Sequence, residues 1–67
     1  MSNIKRDTPT VDFELLTPKE AAAFLRVSES WLAKGRARKE GPPFLQIGRS
    51  IRYSKAALLR WLKSRER

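Results

Sequence analysis

The sequence predicts a mainly α fold with one small β-hairpin, arranged as a winged helix-turn-helix. Three observations carry that expectation. Residues 24–38 read as the end of a short helix, a tight turn at Arg26-Val27 and a second helix opened by Ser28. Leu45 and Ile47, then Ile51 and Tyr53, alternate with polar residues around a bend containing Gly48, as two short strands do. Leu58, Trp61 and Leu62 form an i, i+3, i+4 stripe, the mark of a helix with one buried face. Sixty-seven residues make one domain at most. A chain of this size buries only about 60% of its unfolded surface, so its core is thin.

Residues 1–13 lack apolar periodicity and contain Thr8-Pro9-Thr10, which reads as a mobile arm ahead of a domain over 14–67. The first helix is expected from Pro18 to about Leu25. Thr17 is its N-cap, Pro18 occupies the first helical position, and Glu20 completes a capping box. Leu16 can staple onto Ala21, and Ala21, Phe24 and Leu25 mark the buried face. Ala22 and Ala23 let another helix approach closely. Val27 pins the turn, Ser28 caps the second helix, and Glu29 suits its positive end. Leu32 is the clearest inward position. Gly35 weakens the helix by about 1 kcal/mol relative to alanine; it either permits close packing or ends the helix early. Glu40-Gly41-Pro42-Pro43 terminates it.

The hairpin register follows from keeping apolar residues together. A three-residue loop, Gly48-Arg49-Ser50, pairs Ile47 with Ile51 and Leu45 with Tyr53. Arg49 then sits at the tip, with Gln46 and Arg52 on the outer face. Ser54 caps the last helix, whose Leu58, Trp61 and Leu62 close the core. Lys63, Arg65 and Arg67 follow at its negative end.

Charge separates the two parts of the chain. The net charge is +8, yet residues 1–25 carry three basic and four acidic side chains, against twelve and three in residues 26–67. A positive field confined to the segment from the turn onward suits a polyanion. The chain has neither cysteine nor histidine, which removes disulfides, thiolate metal sites and the commonest general base. Its seven carboxylates show no spacing suggestive of acid/base work, so an enzyme, a cofactor and a metal are not expected. No apolar run approaches the length of a membrane span, and a cytoplasmic protein is expected.

Candidate contact residues therefore lie on the second helix and the hairpin, placed for double-stranded DNA. Ser28 and Ser30 open the helix, where hydroxyls and backbone N–H groups meet phosphate or a base edge. Glu29 serves the helix dipole or accepts from a cytosine amino group. Lys34 and Arg38 share one face a turn apart, and arginine to guanine is the commonest specific contact. Arg36 and Lys39 are either a solvated flank or phosphate contacts. Trp31 has two readings, packing against the wing or first helix, or exposure towards DNA. Arg49 and Arg52 are placed to reach a minor groove, where narrow A·T-rich segments attract arginine.

Residues 15–32, 41–53 and 57–62 together resemble the excisionase-like (AlpA/Xis-type) helix-turn-helix family, small relatives of the MerR DNA-binding domain. The resemblance spans about residues 15–63; relatives often carry a bulkier residue where this chain has Gly35. It implies a winged-helix DNA binder, either a recombination directionality factor acting beside an integrase or a small transcriptional regulator of a mobile element. Partners implied with it are an integrase or RNA polymerase, and further copies of the chain bound cooperatively on DNA. Two other classes use the same charge: a non-specific architectural or RNA-binding protein, and an adaptor whose second helix binds an acidic protein partner.

Overall fold

The computed structural model describes residues 14–66; the arm expected over 1–13 and the terminal Arg67 lie outside the described residues. The order is β1 (Leu15–Leu16), α1 (Pro18–Leu25), α2 (Glu29–Arg38), β2 (Leu45–Ile47), β3 (Ser50–Ser54) and α3 (Lys55–Ser64). This is a mainly α winged helix-turn-helix. The three strands form one antiparallel sheet in the order β1-β3-β2.

Local chemistry sets each helix start. Thr17 Oγ1 accepts from the Glu20 N–H at 3.1 Å, and Glu20 Oε1 accepts from the Thr17 N–H at 2.9 Å, a complete capping box with Pro18 behind it. Ser28 Oγ accepts from the Trp31 N–H at 2.9 Å, and Ser54 Oγ from the Ala57 N–H at 3.2 Å. Each cap satisfies one of the helix's orphan donors.

The first two helices end alike. Arg26 turns into the left-handed region at φ 62°, while the Val27 N–H reaches back to Ala22 O at 2.9 Å. Lys39 does the same at φ 58°, and the Glu40 N–H reaches Gly35 O at 2.7 Å. Both are Schellman turns built without the usual glycine. Helix α2 therefore ends at Arg38, just ahead of the Glu40-Gly41-Pro42-Pro43 segment expected to terminate it, whose Glu40 N–H makes the closing bond. A Cβ on Gly35 would stand 2.9 Å from the Glu40 carbonyl oxygen. Of the two readings of Gly35, close packing holds: the helix runs past it, and its bare backbone receives the turn that follows.

The core is small: Leu16, Ala21, Ala22, Leu32, Tyr53 and Leu58, flanked by Leu25, Val27 and Ile51. Three expectations about it need correction. Phe24 is exposed, and Ala22 takes the inward place on α1. Trp61 is half-buried and Leu62 is exposed, so Leu58 alone of that stripe enters the core. Leu15 and Leu16, read only as a lead-in to α1, pair with Ser54 and Tyr53 as a third strand.

The hairpin register also differs from expectation. Leu45 faces Arg52, Gln46 faces Ile51 and Ile47 faces Ser50, joined by a two-residue loop of Gly48 and Arg49. Gly48 takes φ 61° while Arg49 does not enter the left-handed region, as a type II′ turn requires. Apolar matching does not set this register, because β2 is exposed along its length. No core pins its side chains, so turn chemistry chooses the register. Directly opposed residues share a face. Arg52 thus lies on the outer face with Leu45 and Ile47, whereas Gln46 sits on the side of Ile51.

Candidate nucleic-acid interface

Helix α2 has one side sealed and the other open. Leu32 is 1% exposed and anchors the inner side, while Glu29, Ser30, Ala33, Lys34, Ala37 and Arg38 are exposed. Ala33 and Ala37, four residues apart, run through the middle of that outer side. They were missed in the sequence, although their spacing from Leu32 was a legible signal. Their short side chains let a flat surface approach the helix backbone, and alanine can meet a thymine methyl group.

The basic residues of α2 do not act as one strip. Lys34 and Arg38 lie towards α3, where with Trp31, Gly35, Trp61 and Arg65 they line a groove of about 460 Å³. Arg36 and Lys39 lie on the other flank beside Pro42, Pro43 and Phe44. Arg36 is half-buried. Its Nη1 donates to the hydroxyl oxygen of Tyr53 at 2.7 Å, and its guanidinium carbon stands 5.9 Å from the Phe44 ring centre. Tyr53 is fully buried, so this bond satisfies a hydroxyl out of reach of water. The bond also ties α2 to β3, which fixes the hairpin relative to the helix.

Of the two readings of Trp31, packing against the wing or first helix needs correction. It is 45% exposed, and its ring meets Trp61 of α3 edge-to-face at 6.5 Å between centres. Its neighbour is the last helix, not the wing or α1. The Arg65 guanidinium lies 4.8 Å above the Trp61 ring, within cation–π range. No sequence pattern signalled this pair, because the two tryptophans are far apart along the chain.

The remaining candidates are placed simply. Ser28 spends its oxygen on the cap but stays exposed, as do Glu29 and Ser30 in the first turn. Lys39 is exposed on the left-handed residue after the helix. Arg49 is exposed at the hairpin tip. Arg52 is half-buried on the outer sheet face, and its Nη1 donates to the Ile51 carbonyl at 2.7 Å. Among the described residues no cluster of histidine, cysteine, aspartate or glutamate could hold a metal, and no helix is long and apolar enough to cross a membrane.

A capped pair of short helices, the second presenting an open polar side and braced by a hairpin, defines a helix-turn-helix module, a DNA-binding class of fold. The family model described as "Helix-turn-helix domain" matches residues 15–66, and the chain belongs to that family. DNA is accordingly its partner class. Neither the curated proteins nor the solved structures yield a match to this chain.

Proposed function

We propose that this protein binds double-stranded DNA at specific sequences, with α2 in the major groove and the Gly48-Arg49 hairpin against the neighbouring minor groove. The observation that carries the reading is the two-sidedness of α2: Leu32 locked into the core, and Ser30, Ala33, Lys34, Ala37 and Arg38 open on the opposite side. Base edges are read by such side chains, and phosphates by the surrounding cations. In this reading Arg38 contacts a guanine, Lys34 a phosphate, and Ala33 and Ala37 allow the close approach. Ser28, Glu29, Ser30 and Lys39 contribute at the helix ends. Arg49 enters the minor groove and Arg52 supports the hairpin. Arg36 acts through the fold, by holding the hairpin where Arg49 can reach.

The resemblance of residues 15–63 to excisionase-like proteins supports a role on a mobile element, as a directionality factor beside an integrase or as a small regulator of transcription. A single module covers a small site, with roughly 600–1,000 Å² of protein surface buried. Useful specificity then comes from several copies on repeated half-sites.

Selection from a random duplex library, followed by binding titrations at several salt concentrations, tests the proposal. A defined motif should emerge. About six phosphate contacts give a log K against log[salt] slope near −5. Arg38→Ala should cost about 1–3 kcal/mol and relax preference at one position, whereas Lys34→Ala should weaken all duplexes alike. Enrichment of no motif, with both variants binding like the parent, overturns specific recognition. A nearly flat salt response points instead to a protein partner.

A further inference from the structure

We infer that the groove between α2 and α3 receives the sugar–phosphate strand on the side of the major groove away from the hairpin, with Arg65 as a phosphate contact. The inference rests on the DNA-binding reading above and adds to it a second element, the C-terminal end of α3.

The flanks of α2 carry the argument. On one flank Arg36, Phe44 and Tyr53 hold the hairpin. On the opposite flank Trp31 meets Trp61. An α-helix with its side chains is about 10–12 Å across, and the major groove is about 12 Å wide. A helix seated there brings both flanks onto the bordering strands. The hairpin addresses one strand. The groove of about 460 Å³ addresses the other, and its composition suits a nucleic-acid backbone. Trp31 and Trp61 offer apolar ring surface to the deoxyribose. Lys34, Arg38 and Arg65 place three cations around them, against the single carboxylate of Glu40. Stacking on Trp61 holds the Arg65 guanidinium in place, 4.8 Å from the ring centre, so less freedom is lost when its planar donors engage a phosphate.

The chain has two tryptophans, and both lie in this groove, so its intrinsic fluorescence reports occupancy directly. The experiment titrates the selected duplex into the full chain, following tryptophan emission alongside duplex anisotropy at several salt concentrations. Saturating duplex should change the emission. Arg65→Ala should lower affinity several-fold and make the salt slope shallower by about one. Arg65→Lys should restore most of that slope. Arg60→Ala removes the same charge from the same helix but on the side of Leu59 and Lys63, and should leave the slope as it is. Unchanged emission at saturation, or a parental slope in Arg65→Ala, overturns the inference while leaving α2 recognition standing. An emission change produced by an acidic peptide but not by duplex overturns it too, and assigns the groove to a protein. If the parent chain binds no duplex, the broader proposal falls with it.

Discussion

Gly35→Ala sets two physical effects against each other, and the structure decides the sign. Gly35 lies inside α2, where alanine is the better helix former by about 0.8–1.0 kcal/mol. On that ground alone the substitution stabilises. The added Cβ, however, would stand 2.9 Å from the Glu40 carbonyl oxygen, a backbone atom that cannot swing aside as a flexible side chain does. Making room means moving the turn over Lys39–Gly41. That turn is held by the Glu40 N–H bond to Gly35 O at 2.7 Å, so the movement strains the bond that closes the helix. Overpacking of this kind costs about 1–3 kcal/mol, and loosening the hydrogen bond adds about 0.5–1.5 kcal/mol. The clash wins, and a net loss of about 1–3 kcal/mol is expected. For a domain of this size each kcal/mol moves Tm by roughly 4–8 °C. Thermal and urea melts followed by circular dichroism measure it. A Gly35→Ala protein as stable as the parent, or more so, refutes the close approach at this turn.

Two more substitutions probe the same region. Lys39→Gly relieves a lysine held at φ 58° and should stabilise the fold by about 0.5–1 kcal/mol, the strain relieved less the greater chain entropy of glycine; an unchanged urea midpoint contradicts the left-handed assignment. Arg36→Ala removes a charge-assisted bond and leaves the buried Tyr53 hydroxyl without its donor, at about 1.5–3 kcal/mol. It should lower Tm and reduce DNA affinity together, whereas Lys34→Ala and Arg38→Ala should reduce affinity with Tm unchanged; an Arg36→Ala protein of parental Tm makes that side chain a surface contact after all.

The elements that could be read from the chain are those whose determinants lie within a few residues of one another. Thr17-Pro18-Lys19-Glu20 carries a whole helix start in four positions, because every donor and acceptor of the capping box is local. Ser28 and Ser54 work the same way for α2 and α3, and Leu32 is the one large aliphatic side chain on α2. The concentration of positive charge from Arg26 onward is a property of composition, and by itself it points to a polyanion.

What only the tertiary structure decided are the choices between locally equivalent options. Strand β1 has two residues, too few for any periodic pattern, and exists through its pairing with β3. Apolar matching does not predict the hairpin register, because it matters only where a face is covered, and no described residue covers β2. Phe24 and Trp61 carry large apolar side chains that a bigger domain would enclose; a core of five small and medium residues around Tyr53 has no room for them. The basic residues of α2 look alike in sequence, yet Arg36 is drawn to a buried hydroxyl while Lys34 and Arg38 stay open, since which flank faces β3 depends on how the helix docks. The chain's own order determined where helices begin and where charge collects; packing across distant segments determined which side chains remain free to meet a ligand, because burial is a property of the whole assembled surface and not of any short stretch.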